Sequence, residues 1–253
     1  MTFPIMEHVA KGKRHTSFYL ACGVPNATPI IFLHGWPELS ISWRHQLPVF
    51  GSLGFHAIAP DMRGYGRSSV YARHEDYALE QITADMIELL DAIGAEHAIW
   101  VGHDWGSPVV WSIAQHHPQR CHGVANLCVP YIPEGFSVET VLPLADRSVY
   151  PEDRFPAAQW DYQLFYRENF AAARAGFESN VRATVRALFR AGVPTGKGKP
   201  PALHSFAPMA VGSVRNKQRQ TCPATPRCSA RRTKIVMSPH SSATGSSAQI
   251  VGT

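Results

Sequence analysis

The sequence predicts an α/β protein whose parallel sheet is covered by helices on both faces. Three features point there: short apolar runs with sharp ends, amphipathic stretches between them, and a regular alternation of the two. Pro29-Ile-Ile-Phe-Leu33 is an unbroken apolar run stopped by His34-Gly35, as a strand buried on both faces requires. His56-Ala-Ile-Ala-Pro60 and His97-Ala-Ile-Trp-Val-Gly102 repeat the pattern. Between these last two, Ile82, Met86, Leu89, Leu90 and Ile93 recur at helical spacing, and Gly94 follows as a stop. Val109, Val110, Ile113 and Ala114 open a further helix that ends before Pro118, and Val124 to Val129 reads as a fourth strand. Pro130 to about Arg154 is proline-punctuated and loop-like. Helices are expected at Trp160 to Phe170 and at Phe177 to Phe189.

Charge separates the chain into two kinds of sequence. The net charge is +5 and the pI is about 9.0. Residues 1–178 nevertheless hold all 19 acids against 12 Lys and Arg, a balance of −7, while residues 179–253 hold the other 12 bases and no acid. Pro, Gly and Ser fill 19 of the 58 positions from 196 to 253, where Phe206 is the single aromatic residue. Such a segment buries too little apolar area to offset its ordering entropy, so disorder is expected. Arg227, Arg231 and Arg232 carry no interleaved aromatics, so no specific nucleic-acid partner is expected. Arg14, Arg44 and Arg63 read as ordinary surface or loop charges. No apolar stretch is long enough for a membrane span, and Met1 to Arg14 lacks an apolar signal core, so a cytoplasmic location is expected. The five cysteines have no CxxC spacing and the adjacent His116-His117 cannot share a helix face, so neither metal nor cofactor is expected.

Gly102-His103-Asp104-Trp105-Gly106 follows a strand and opens a helix. Small residues two before and two after the centre allow a sharp turn that lifts the Asp104 side chain to the strand end, beside the positive helix N-terminus. A carboxylate is already ionised at neutral pH and attacks an sp³ carbon without a base, forming an alkyl ester. An aspartate in this place equally suits a plain helix N-cap.

His34-Gly35-Trp36-Pro37-Glu38 adds a second motif after the earlier strand. Together with the elbow it resembles the oxyanion-hole loop of the α/β-hydrolase superfamily, and in this spelling the epoxide hydrolases. Asp61-Met-Arg-Gly-Tyr-Gly-Arg-Ser68 and Asp161-Tyr-Gln-Leu-Phe-Tyr166 extend the resemblance, the latter to a cap segment bearing a substrate-activating tyrosine. The resemblance implies an α/β-hydrolase fold whose parallel sheet is incomplete, lacking its last strands, with a partial helical cap. It divides the chain into the N-terminal part of the core (1–131), the partial cap (132–195) and the basic tail (196–253). It further implies that Asp104 is the nucleophile toward a small apolar epoxide and that the Trp36 and Trp105 backbone N–H groups form the oxyanion hole. Tyr162 would donate to the epoxide oxygen, with Tyr166 one turn on as the fallback; the alternative for Tyr162 is simple packing on a cap helix.

The family also uses a late histidine base and an acidic partner. Downstream, only His204 and His240 remain, with no acid after Glu178, so ester hydrolysis is expected to be impaired. The abrupt change of composition reads as truncation or a shift of reading frame. Alternatives from other classes are a haloalkane or haloacid dehalogenase, which shares the elbow aspartate, and a non-catalytic binder on a hydrolase scaffold. The strand at Val124 to Val129, without an outer neighbour, is expected to leave an aggregation-prone edge.

Overall fold

The computed structural model describes residues 3–189, 233–237 and 248–252. Residues 3–135 form one compact unit, and residues 136–189 belong to a second.

The first unit is a six-stranded sheet in the order β1-β2-β4-β3-β5-β6. Its strands are β1 (Met6–Lys11), β2 (Thr16–Gly23), β3 (Pro29–Leu33), β4 (His56–Pro60), β5 (Ala98–His103) and β6 (Cys121–Leu127). Strands β3 to β6 pair in parallel, as expected. β1 and β2 do not conform: they pair antiparallel to each other, and β2 runs antiparallel to β4, so the sheet is mixed rather than parallel. β1 carries no apolar run because nearly all of its residues are exposed. A hairpin also needs no intervening helix, which removes the alternation that marked the other strands.

All five residues of β3 and all five of β4 are buried, which is why they read as continuous apolar runs. Their side chains alternate between two cores. Ile31, Leu33, Ile58 and Trp100 face α2 (Leu79–Ala92) and α3 (Gly106–His116) through Met86, Leu90, Val109 and Ile113. Ile30, Phe32, Ala57 and Val101 face the opposite way, toward Trp43 and toward Leu47 of α1 (Gln46–Ser52). Trp100 is fully buried and donates its indole N–H to Arg120 O at 3.0 Å, which satisfies its polar atom. β6 is the last strand in the sheet order, with Val124 38% and Leu127 47% exposed, and Cys128 ends it at a φ of 65°.

In the second unit, α4 (Val138–Val141) occupies part of the stretch read as loop. α5 (Asp161–Glu168) lies where a helix was expected. The helix expected over 177–189 is observed as α7 (Val181–Leu188), and a further helix, α6 (Phe170–Ser179), fills the gap left between the two expected ones. Asn180 separates the two: its extended backbone (φ −151°) leaves α6, and its side-chain oxygen accepts from Ala183 N at 3.0 Å to cap α7.

Most of the expected disordered tail lies outside the described residues. Where it is described, it carries two strands, β7 (Thr233–Met237) and β8 (Ala248–Gly252), where none was expected. Both contain short β-branched runs, Lys234-Ile-Val and Gln249-Ile-Val, too brief to register against the surrounding Pro and Ser. Among the described residues, no helix is long and apolar enough to cross a membrane.

Candidate active site

The candidate site forms where β3 and β5 end side by side. Their parallel register places Leu33 opposite Gly102, so the residues that follow each strand emerge at the same sheet edge. Asp104 turns the chain from β5 into α3 with a φ of 50°, in the left-handed region that few non-glycine residues occupy. Its carbonyl accepts from Ser107 N at 3.0 Å as the helix begins. A Cβ on Gly102 would lie 2.7 Å from Gly106 O and from Ser107 Cα. One on Gly106 would lie 2.7 Å from Leu33 C and 2.9 Å from His34 O, with Leu33 O closer still. Gly102 therefore lets the start of α3 fold back onto its own strand, and Gly106 lets the turn sit close to the end of β3.

Gly35 is needed for the same reason on the facing loop. A Cβ there would lie 2.8 Å from Asp104 Cγ and closer still to its Cβ and Oδ1. With glycine in place, the Trp36 backbone N–H donates to Asp104 Oδ1 at 2.8 Å. Trp105, half-buried, precedes the first helical residue of α3. His103 Nδ1 and Glu38 Oε2 are 3.1 Å apart, and the same carboxylate oxygen is 3.5 Å from Gly35 N. Asp104, Trp36 and Trp105 are thus brought together at one sheet end.

His34 is completely buried. Its Nε2 accepts from Met62 N at 3.0 Å and its Nδ1 lies 2.9 Å from Gly35 O. Burial pushes its pKa below the ordinary 6.5, against the opposing pull of Asp61, Glu38 and Asp104. Desolvation lowers those of His15 and His56 too. All three groups bind fewer protons in the native than in the unfolded chain below about pH 6.5, so stability present above that pH is lost as pH falls. Urea unfolding at pH 7.5 and at 5.5 is expected to show a falling midpoint; an unchanged or rising midpoint would contradict it.

The Asp61–Ser68 loop closes around its first residue. Asp61 accepts from Ser40 N at 2.9 Å through Oδ1 and from Arg67 N at 3.0 Å through Oδ2. Arg63 is not the surface charge that was expected. It is 3% exposed and makes a two-point pair with Asp85 of α2, at 2.6 and 2.7 Å. Arg14 is partly exposed and joins the same carboxylate at 3.0 Å; Arg44 is exposed, as expected. Charge on a glycine-rich loop carries no sequence mark of burial, and only the approach of α2 reveals it.

Tyr162 and Tyr166 lie on α5 of the second unit, with ring centroids 6.0 Å apart. Tyr162 is half-buried and its hydroxyl accepts from Gln163 Nε2 at 3.2 Å. Tyr166 is 1% exposed against Phe165 and Phe177, and burial raises its pKa well above the ordinary phenol range. His204 and His240 lie outside the described residues. Nothing in the spacing of the sequence marks His34 or the His103–Glu38 pair for a role, although all three residues fall inside the two motifs. Among the described residues, no group of three or more His, Cys, Asp or Glu side chains could hold a metal ion.

A family model described as alpha/beta hydrolase fold matches residues 28–189. Epoxide hydrolase A of Mycobacterium tuberculosis is 44% identical over 146 residues, covering 58% of this chain and 42% of the relative. Bifunctional epoxide hydrolase 2 of Sus scrofa is 36% identical over 162 residues, covering 64% of this chain and 27% of the relative. The chain thus spans less than half the length of these curated relatives. Among solved structures, epoxide hydrolase A from Mycobacterium thermoresistibile superposes with a TM-score of 0.65 at 34% identity, over 78% of this chain and 61% of that one.

Proposed function

The chain belongs to the alpha/beta hydrolase fold family, and from that premise we propose that its chemistry is the opening of a small apolar epoxide by the Asp104 carboxylate. The observation that carries the reading is the 2.8 Å hydrogen bond from Trp36 N–H to Asp104 Oδ1. It leaves one carboxylate oxygen held by a backbone donor and the other to attack. The names of the relatives support the choice of an epoxide as the electrophile.

In this reading the second oxygen of Asp104 bonds to an epoxide carbon while that carbon's bond to the ring oxygen breaks. The ring oxygen takes its proton from a tyrosine hydroxyl, assigned to Tyr162. That hydroxyl accepts from Gln163, which polarises it toward donation. The product is an alkyl ester of Asp104. Water then adds to the ester carbonyl, and the resulting oxyanion is held by Trp36 N–H together with Trp105 N–H. Collapse expels the ester oxygen, which takes the remaining water proton to complete a vicinal diol; the carboxylate is restored, and the proton held by the base returns to the tyrosinate. This second half needs a base to take a proton from the water, and the sequence after Glu178 offers only His204 and His240, with no Asp or Glu to orient either. The ester is therefore proposed to outlive its formation.

Incubation with styrene oxide followed by intact-mass spectrometry tests this. The expected result is an increase by the mass of one epoxide that persists and maps to Asp104, and that is absent from Asp104→Ala. Diol release without a lasting adduct would place a working base in the chain and refute the impairment. No adduct and no diol would refute the reading as a whole.

A further inference from the structure

We propose that His34 is a positioning residue that polarises the oxyanion-binding peptide, locked into one tautomer by the backbone of the Asp61–Ser68 loop. The inference rests on the reading above and assigns a role to a side chain that touches no substrate.

The geometry runs through a single peptide unit. Gly35 C=O and Trp36 N–H belong to the same trans amide and point in opposite directions. The N–H is the group that donates to Asp104 Oδ1 at 2.8 Å. The C=O faces His34 Nδ1 at 2.9 Å and also accepts from Glu38 N at 3.0 Å. Across the ring, Met62 N is 3.0 Å from Nε2. A backbone N–H is only a donor, so Nε2 must present its lone pair there. In a neutral imidazole the proton then resides on Nδ1 and is donated to Gly35 O. Three hydrogen bonds are thereby aligned: Met62 N–H to Nε2, Nδ1–H to Gly35 O, and Trp36 N–H to Asp104.

Drawing electron density toward a carbonyl oxygen makes the N–H of the same amide a stronger donor, and in a dry site the bonds of such a chain reinforce one another. His34 is completely buried, with the Tyr65 ring edge-on at a centroid distance of 4.8 Å. The carboxylates that act on it are Asp61, Glu38 and Asp104. Its consequence is unequal across the reaction. A stronger Trp36 donor favours the oxyanion formed when a nucleophile adds to the Asp104 ester, and does little for the attack that makes the ester.

Two measurements test the inference. Correlation of the His34 ring protons with the ring nitrogens by ¹⁵N NMR in the unmodified protein is expected to show a protonated Nδ1 and an unprotonated Nε2 at pH 7.5. An Nε2–H tautomer or an imidazolium would overturn the proposal, whatever the outcome with epoxides. Reactivity is read from the ester formed with styrene oxide and cleaved by hydroxylamine, which adds to the ester carbonyl without needing a base. It leaves a hydroxamate on Asp104 and releases the diol. His34→Gln puts an amide oxygen where Nε2 accepts from Met62 and removes the donor to Gly35 O. It is expected to slow hydroxylamine cleavage about 10-fold, with ester formation within about twofold. His34→Asn keeps a donor at the Nδ1 position and is expected to recover part of the rate. Equal cleavage rates in folded His34→Gln and the unmodified protein would overturn the role. Failure of the unmodified protein to form any ester would instead strike the proposed function, and the tautomer would still decide this one.

Discussion

Replacing Asp85 by Asn is expected to lower the unfolding free energy by about 3–5 kcal/mol, the usual cost of leaving a buried charge without its partner. Asp85 has no exposed side-chain surface and Arg63 has 2%. Their two-point contact, at 2.6 and 2.7 Å, satisfies both the geometry and the charge of the guanidinium. Arg63 also lies 4.1 Å over the Tyr71 ring, and Arg14 and His15 approach the same carboxylate at 3.0 and 3.7 Å. Asn retains one acceptor oxygen but no charge, so Arg63 would stay cationic against a neutral amide in a dry interior. Urea unfolding at pH 7.5 measures the effect, and a loss below about 1 kcal/mol would mean that water reaches Arg63 after the substitution. The pair joins the loop after β4 to α2. Part of the loss is therefore expected to appear as faster backbone hydrogen exchange at Met62 to Ser68, ahead of the β3 and β4 core.

Gly106→Ala is expected to cost about 3 kcal/mol or more and to reduce covalent labelling at Asp104. The added Cβ would meet backbone rather than a flexible side chain, at 2.7 Å from Leu33 C and 2.9 Å from His34 O. Overpacking against atoms that cannot rotate away forces α3 and the end of β3 apart. That end carries the Gly35–Trp36 peptide, so the Trp36 donor moves with it. Gly94→Ala separates this cause from backbone strain alone. Gly94 has a φ of 75° but nothing within 4 Å of an added Cβ, so about 1 kcal/mol is expected and labelling should be unaffected. Equal losses in the two variants would show that crowding is not what Gly106 avoids.

The contrast between these two glycines shows what could be read from residues and what could not. Gly94 announces itself as a helix stop by its place after an amphipathic run, which is local information. Gly106 announces a turn, but the atoms that forbid a side chain there belong to β3, more than seventy positions back. The same division runs through the rest of the molecule. β3 and β4 were legible to the residue because a strand buried on both faces needs an unbroken apolar run. β1 was not legible, because it is held by hydrogen bonds to β2 with most of its side chains in solvent. The break between α6 and α7 rests on a single capping side chain, Asn180, inside a stretch whose composition is helical throughout.

For the candidate site, the two motifs could be read, and their pairing could be expected from resemblance. The physical reason they meet is the β3–β5 register, which sets Leu33 against Gly102. From that register follow the 2.8 Å bond to Asp104, the His103–Glu38 pair and the role proposed for His34. None of these is encoded at a single spacing.

By itself, the sequence determined the alternation of strands and helices, the acidic character of residues 1–178, and the presence of an aspartate at a turn built for one. Each depends on neighbours a few residues apart, within reach of periodicity and composition. Only the tertiary structure decided that the sheet is mixed, that Arg63 is buried on Asp85, and that one peptide links a buried imidazole to the Asp104 carboxylate. Those outcomes depend on hydrogen bonds and burial between distant segments, whose energies exist only once the chain has folded.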